Sequence, residues 1–422
     1  MMLLVAASAG CESTQDGDTT RTDTELVDTC DEGANCYITD SSEGDGDDVD
    51  ALNDVASDAS PDTIEDATSP DATSPDVVAD TVTDVAEAIP CPDGASPAIV
   101  AVAGDLTHQA TLRIDGCRFG IKAQAAPRLH DTVDNQLAYA SLTVGDRIPT
   151  EADDAPWSDN HDSWRNFVRL ADEDPRAHRT AFYRVSGGVH GGDGALGWPR
   201  ALGANQPPAD QRVLYATWWY RPSMDPGGGD PVGSNKFIRI WDDPNGNGTR
   251  ISWTHMHIGY SGTELTGWRN WTEDGLIGQW NRMEITVDAD QGTIRHYVNG
   301  VYQNVSNSAV GSYDIDNFIK DPAFADLGLN VATLGFDHGL NSYPDMVSDF
   351  GEVYLDTTTA RVEIGDAATW AQTRHREIQI PFTWSDSAIE INLQEGSFEG
   401  LSGRYLYVID AQGNVNEQGF PL

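Results

Sequence analysis

The sequence predicts an all-β fold, on two observations. Beyond residue 95, short runs of alternating apolar and polar residues are separated by Gly, Asp, Asn and Pro, which is typical of sandwich architectures. No amphipathic stretch with a period of 3.6 residues extends beyond about three helical turns. The clearest predicted strands lie at residues 110–114, 214–220, 236–241, 250–258, 282–287, 293–298, 352–356 and 405–409.

The charge of the 422-residue chain is strongly negative and unevenly distributed. Its 68 Asp and Glu residues outnumber its 25 Lys and Arg residues, which gives a net charge of −43. Residues 1–90 hold 24 of these acids, a single base (Arg21) and a single aromatic residue (Tyr37), so we expect a disordered acidic linker over residues 12–92. Because nucleic acids are bound through Lys and Arg, the composition excludes a nucleic-acid partner.

The first eleven residues, MMLLVAASAGC, form a short apolar run that leads through small residues to Cys11. They resemble the end of a bacterial lipoprotein signal peptide, in which that cysteine is lipidated. The resemblance implies export, a location at the outer membrane or cell surface or outside the cell, and a membrane lipid as partner. The other cysteines suit two disulfides in an oxidising compartment, Cys30–Cys36 and Cys91–Cys117.

Two distant segments share one family resemblance. Residues 97–104 (PAIVAVAG) and 110–120 (ATLRIDGCRFG) resemble the first half of an IPT/TIG domain, an immunoglobulin-like sandwich, with its Gly-x-x-Phe-Gly turn at 116–120. The pieces expected next occur near the other end, in ARVEIGD, IQIPFTWSDSAIEI and YLYVIDAQGNV. We therefore predict one split domain made of residues 96–128 and 360–422, since each half alone is small for a core. Two separate small β modules are the alternative.

The region between them, residues 131–358, contains ten of the twelve tryptophans. Its phrases YATWWYR, NKFIRIWD, GQWNRMEITV and RHYVNGV resemble strands of the concanavalin A-like lectin/glucanase superfamily. The resemblance implies a jelly roll of two curved sheets that binds or cuts polysaccharides across its concave face. A shared fold does not by itself establish either activity.

Strand alternation predicts which side chains face a ligand. Apolar residues at alternate positions of 236–241, 250–258 and 280–288 are expected in the core, so the intervening side chains would share the concave face. Aromatic rings stack on pyranose rings, and Arg or His contacts carboxylates or hydroxyls. The predicted ligand-binding residues are Arg239, Trp241, Trp253, His255, His257, Arg282 and Glu284.

The loop DPNGNG at residues 243–248 matches the first half of a calcium loop. Its metal-ligand candidates would be Asp243, Asn245 and Asn247, but position 12 of the pattern is Thr254 instead of the bidentate Glu. Because two Asn-Gly pairs join two strands, we predict a hairpin turn here. No cofactor is expected, and calcium is the metal that the loop would take.

Two kinds of polysaccharide-cleaving enzyme can be compared with the sequence. Glucanases of the superfamily place their catalytic carboxylates on one strand as Glu-x-Asp-x-Glu or Glu-x-Asp-x-x-Glu. Glu284 with Asp288, and Glu352 with Asp356, have a different spacing, so this glycosidase activity is not expected.

Jelly-roll polysaccharide lyases instead use Tyr or His as a base beside a neutralised uronate carboxylate. Residues 297–303 (YVNGVYQ) loosely resemble the alginate-lyase strand Tyr-x-Lys-x-Gly-x-Tyr-x-Gln, without its lysine, and the same run is typical of a hairpin turn. The catalytic candidates for a lyase are His255, His257, Tyr297 and Tyr302.

Together these features predict an exported, surface-anchored, lectin-like protein that binds a polysaccharide or glycoconjugate. A lyase acting on a uronate polymer by β-elimination is one alternative, and a structural or adhesion protein is the other.

Overall fold

The computed structural model describes residues 91–160, 167–186, 194–226, 236–254, 257–260, 263–264, 270–303, 318–337 and 345–422. The predicted signal segment, nearly all of the predicted linker, Cys11 and the Cys30–Cys36 pair lie outside these residues.

Within the described residues the fold is all-β, as predicted, and its helical segments are short 3-10 turns. The strands are β1 (Ala98–Gly104), β2 (Thr111–Cys117), β3 (Leu129–Asp131), β4 (Trp157–Asn160), β5 (Arg169–Ala171), β6 (Phe182–Ser186), β7 (Gly194–Pro199), β8 (Val213–Pro222), β9 (Lys236–Trp241), β10 (Arg250–Thr254), β11 (His257–Tyr260), β12 (Thr263–Glu264), β13 (Asn281–Asp288), β14 (Thr293–Val298), β15 (Val301–Tyr302), β16 (Asn330–Asp337), β17 (Val347–Asp356), β18 (Arg361–Gly365), β19 (Arg376–Trp384), β20 (Ala388–Asn392), β21 (Tyr405–Ile409) and β22 (Phe420–Pro421). The 3-10 turns are Leu137–Tyr139, Arg200–Leu202, Trp271–Glu273, Pro322–Phe324 and Trp370–Gln372.

Two antiparallel sheets form a central sandwich. The outer sheet has the order β12-β11-β10-β9-β16-β7-β4, and the junction sheet has the order β15-β14-β13-β8-β17-β6-β5, with β3 paired to β17. Apolar side chains from both sheets, among them Trp218, Met283, Ile238 and Leu334, are fully buried in one core between the sheets. This interdigitation of two inner faces is the general way in which packed sheets bury their apolar residues.

Trp253 belongs to this core. Its side chain has 0% exposure and its ring packs edge-on against Trp218, at a centroid distance of 6.0 Å, and against Phe237, at 5.8 Å. The prediction that Trp253 faces a ligand is therefore wrong. Alternation would continue from residue 250 to residue 258 only within a single strand. The structure instead has two strands here, β10 and β11, which pair antiparallel with Thr254 opposite His257.

A third sheet combines the two ends of the described chain. In this terminal sheet, of order β1-β2-β20-β19-β18-β21-β22, Thr111 of β2 pairs with Asn392 of β20. Apolar residues of both segments, such as Ile114 and Ile389, are buried in a second core. This is the contact that the split-domain hypothesis requires. The boundaries 96–128 and 360–422 stay a prediction.

The predicted disulfide between Cys91 and Cys117 is confirmed, with a Cα–Cα distance of 5.9 Å. It ties the first described residue to the end of β2. No helix in the described part of the chain is long and apolar enough to cross a membrane.

The opposite environments of two tryptophans give a test of the fold. We expect Trp253→Ala to lower the free energy of unfolding by about 3–5 kcal/mol, because a large core side chain leaves a cavity. Trp241→Ala is the matched control: its half-buried side chain predicts a loss of about 1 kcal/mol. Urea denaturation followed by circular dichroism measures both. Equal losses for the two variants would contradict this assignment of the faces.

Candidate functional site

The outward face of the junction sheet is covered by the terminal sheet. Alternation along β13 sends Met283, Ile285 and Val287 into the central core, as predicted, and leaves Arg282 and Glu284 on the opposite face. Around Arg282 and Glu284 that face is covered, because strands β18 and β19 lie against it. The side chains predicted to meet a ligand on β13 therefore meet another part of the same chain.

Five side chains form the interface ion cluster between the two sheets. These are Arg282 and Glu284 of the junction sheet and Arg361, Glu363 and Arg376 of the terminal sheet. Glu363 accepts from Arg282 Nη1 at 2.7 Å and from Arg361 Nε at 2.5 Å. Glu284 lies 3.2 Å from Arg282 Nη2 and 3.4 Å from both Arg361 Nη2 and Arg376 Nη2. Each carboxylate thus bridges arginines of both sheets.

The cluster is almost completely removed from water. The Glu363 side chain has 0% exposure and that of Arg361 has 7%. Burial alone would raise the pKa of Glu363, but the attraction of Arg282, Arg361 and Arg376 is stronger and holds its pKa well below the usual value. Arg282 remains protonated, since the carboxylates around it outweigh its burial and raise its pKa. The raised pKa of Arg282 and the lowered pKa of Glu363 both favour the charged forms of this pair at neutral pH.

Two further buried ion pairs cross the same interface. Lys122 Nζ lies 2.7 Å from the Asp356 carboxylate, and both side chains are buried. Arg176 contacts Glu377 of β19 at 2.6 Å while its guanidinium stacks on the Trp219 ring at 3.5 Å. Because removal of one partner of a buried pair leaves an uncompensated charge, these contacts fix how the terminal sheet sits on the junction sheet.

Beside the ion cluster, residues of the junction sheet and of the terminal-sheet segment line a cleft of about 310 Å³, which we call the junction cleft. This volume lies in the range of small-molecule binding sites, roughly 300–1,000 Å³. The junction sheet supplies Glu284, Thr286, Asp288, Gln291, Thr293, Arg295 and Tyr297, and the terminal-sheet segment supplies Thr359, Arg361, Trp370, Ile409, Gln412, Gly413 and Val415.

The junction cleft combines aromatic and polar side chains. Tyr297 lines it from β14 and Trp370 from the 3-10 turn between β18 and β19, and the Arg376 guanidinium lies 5.8 Å from the first ring and 4.2 Å from the second. Alternation along β14 places Thr293 and Arg295 on the same face as Tyr297. The site therefore offers ring faces for stacking, with hydroxyl and guanidinium groups beside them for hydrogen bonding.

The residues predicted to form one ligand-binding face are separated by the structure. Arg239 and Trp241 lie half-buried on the outer sheet, with the Arg239 guanidinium 5.4 Å from the Trp241 ring. Arg282 and Glu284 lie on the junction sheet, on the far side of the central core. The prediction that all of these residues share a single face is wrong, because their strands belong to different sheets. Of this set, Glu284 lines the junction cleft.

Of the two predicted histidines, His255 lies outside the described residues. His257 is described as the first residue of β11. Their proposed contribution to ligand binding or catalysis stays a prediction.

The loop after β9 is a turn held by Asp243. The Asp243 carboxylate accepts from the Asn247 backbone N–H at 3.0 Å and from the side-chain amides of Asn245 and Asn247 at 3.2 and 3.1 Å. The hairpin between β9 and β10 is present as predicted. In this arrangement the carboxylate that would hold calcium accepts hydrogen bonds from the amides of its own loop.

Tyr297 and Tyr302 belong to a hairpin, as the Tyr-Val-Asn-Gly run predicted. Asn299 and Gly300 both have positive φ, 47° and 72°, the arrangement of a type I′ turn. The rings of Tyr297 and Tyr302 are 5.2 Å apart. Burial and the Glu284 charge raise the pKa of Tyr297. This opposes its use as a general base, which requires a lowered pKa.

Of the residues that line this cleft, only Glu284 and Tyr297 are predicted from the sequence as candidate site residues. Arg361, Trp370, Thr359 and Gln412 lie on the terminal-sheet segment, more than 60 residues after β14. Local alternation carries no information about which distant segment covers a face. The sequence signal for these residues is the family resemblance of residues 360–422, which predicts a domain but no binding site.

No family model matches the chain, and no curated protein matches it. Among solved structures, it is similar to a sialidase, with 10% identity and a TM-score of 0.30 over 59% of this chain and 21% of that chain. It is also similar to the binding domain of botulinum neurotoxin serotype D, with 12% identity and a TM-score of 0.28 over 46% of this chain and 43% of that chain. A third is domain 4 of a GH43 extracellular arabinanase from Geobacillus stearothermophilus in complex with arabinotriose, with 14% identity and a TM-score of 0.24 over 55% of this chain and 95% of that domain. The chain spans less than half the length of the first two. Its function is inferred from the residues of the site.

The low pKa of Glu363 predicts a specific dependence of stability on pH. A carboxyl group with a lowered folded-state pKa stabilises the fold above its unfolded pKa of about 4.3, and this contribution is lost as the pH falls toward the folded-state value. We expect Glu363→Gln to lower the free energy of unfolding by about 3–5 kcal/mol at pH 7 and by much less near pH 2.

Urea denaturation at a series of pH values measures this difference. The control is Glu390→Gln, which removes an exposed pair with Arg113 at 3.6 Å and predicts a loss of at most about 1 kcal/mol. A constant difference between Glu363→Gln and the unmodified protein from pH 7 to pH 2 would contradict the charged state assigned to Glu363.

Proposed function

We propose that this protein binds a polysaccharide or glycoconjugate, without cleaving it, in the junction cleft. The observation that carries the proposal is the pair of aromatic side chains that line one cleft, Tyr297 from the junction sheet and Trp370 from the turn between β18 and β19, among hydroxyl, amide and guanidinium groups. Aromatic faces match the apolar faces of pyranose rings, and the polar side chains match their hydroxyls. A saccharide ring offers both an apolar face and several hydroxyl groups, and the cleft provides side chains for each.

Rigid support for the site is a second argument. The interface ion cluster forms the floor of the cleft through Glu284 and Arg361. Binding groups that are already fixed by buried contacts lose little conformational entropy when a ligand arrives. A saccharide, itself flexible and strongly hydrated, is bound better by such a preorganised surface than by loops that must first be ordered.

Binding without catalysis follows from the state of the acidic and basic groups in the cleft. Tyr297 has a raised pKa, and the Glu284 carboxylate is held by three arginines. Asp288 accepts the backbone N–H groups of Asp290 and Gln291 in its own turn. The raised pKa opposes the use of Tyr297 as a base, and both carboxylates already contact other groups of the protein. A uronate lyase that uses Tyr297 is the second candidate, since Arg376 lies close to this ring.

The architecture that we propose is a concanavalin A-like sandwich over 131–358, inserted into a TIG-like domain of residues 96–128 and 360–422. The pairing of β2 with β20 supports the second part. We also propose that lipidated Cys11 and the acidic segment 12–92 present these domains at the cell surface. The Cys91–Cys117 disulfide suits such an oxidising location.

A glycan array tests the proposed function. We expect the purified chain to bind a defined set of glycans, and Tyr297→Ala and Trp370→Ala each to weaken binding about tenfold through the loss of one stacking surface. Trp241→Ala, on the outer sheet, is the control and keeps the affinity of the unmodified protein.

The same samples separate the alternatives. Release of unsaturated uronate ends, followed by ultraviolet absorbance with uronate polymers, would identify a lyase. Absence of binding to every glycan would favour the structural or adhesion protein. If Trp241→Ala weakened glycan binding and the two cleft variants did not, the site would lie on the outer sheet.

A further inference from the structure

The interface ion cluster carries more positive than negative charge. Its three arginines, Arg282, Arg361 and Arg376, share two carboxylates, Glu284 and Glu363, so one buried positive charge is left over. Each arginine contacts a carboxylate, but a buried net charge is unfavourable, and an anion that reaches it is bound correspondingly well. The excess is notable because residues 91–422 together carry a net negative charge.

Arg361 connects this excess charge to the junction cleft. It lines the cleft while its Nε donates to Glu363, its Nη1 to the Thr359 carbonyl at 2.9 Å and its Nη2 lies 3.4 Å from Glu284. A guanidinium has five N–H groups, and these contacts use three of them. The other two are on the terminal nitrogens, where arginine commonly holds carboxylates and phosphates.

Two carboxylates near the cleft, Asp288 in its lining and Asp410 next to the lining residue Ile409, do not cancel this charge by direct contact. Asp288 accepts two backbone N–H groups of its turn, and Asp410 accepts those of Gln412 and Asn414 in another turn. Both are committed to hydrogen bonds that hold local structure. Arg295 also lines the cleft, on the face of β14 that carries Tyr297.

We propose that the junction cleft selects saccharides in which a ring carries a single anionic group, a carboxylate or a sulfate ester, and that Arg361 contacts this group. This selectivity rests on the proposed function and specifies which class of sugar the junction cleft binds. Stacking on Tyr297 and Trp370 holds the ring, and the anionic substituent balances the excess charge of the floor.

Matched glycans provide the test. Carboxylated and sulfated glycans are immobilised beside the same carboxylated glycans after chemical reduction to alcohols and the same sulfated glycans after desulfation. We expect the anionic member of a pair to bind about tenfold or more tightly than its neutral counterpart, as for a charge-assisted contact in a largely buried site. The carboxylated and sulfated sets then show which anionic group is recognised.

A second measurement places the selectivity in the cleft. Thr293→Asp adds a negative charge to the half-buried rim without disturbing the ion cluster, and Thr293→Asn is its uncharged counterpart. We expect Thr293→Asp to reduce the ratio of anionic to neutral affinity about tenfold relative to Thr293→Asn. Thermal unfolding confirms that both variants fold.

Each outcome decides between the claims. Equal binding of anionic and neutral partners overturns the selectivity and leaves the proposed function in place. Absence of binding to all of the glycans overturns the proposed function as well. A preference for anionic glycans that is the same in Thr293→Asp and Thr293→Asn overturns the placement of the anionic group in the junction cleft.

Discussion

Five charged side chains buried between two sheets determine the arrangement of this molecule. Arg282 and Glu284 could not be buried on the outward face of the junction sheet without partners, because desolvation of isolated charges is costly. Glu363, Arg361 and Arg376 provide those partners from strands that lie far away in the sequence. Since charge pairing at these distances tolerates little displacement, the terminal sheet is held in one position, and the cleft beside it has fixed walls.

The chemistry of the cleft follows from the same contacts. Arg376, which joins the sheets, also lies close to the rings of Tyr297 and Trp370, so two aromatic side chains of the cleft are placed next to a guanidinium group. Overall the chain is strongly acidic, with a net charge of −43. On the proposed selectivity, we expect a polyanion to be repelled at long range and its individual anionic groups to be attracted within the cleft, where screening by salt is weak. Such an arrangement favours recognition of individual acidic groups over nonspecific capture of polyanions.

The sequence was sufficient for local structure and insufficient for the site. Alternation correctly predicted that Met283, Ile285 and Val287 face the core and that Glu284 lies opposite. It failed at Trp253, because the chain reverses after Thr254 and the count of alternating residues is interrupted. The covering of the β13 face by the segment around Arg361 depends on pairing between distant segments. Spacing along a single strand contains no record of such pairing.

The central claim, that glycans bind between the junction sheet and the terminal sheet, is tested most directly by amide hydrogen exchange with and without a bound glycan from the array. Turns on both sides of the cleft, at residues 288–293 and 410–414, should exchange more slowly in the complex, because a ligand would cover the exposed amides of both at once. Slower exchange confined to the outer sheet around Trp241, with both turns unchanged, would contradict the claim.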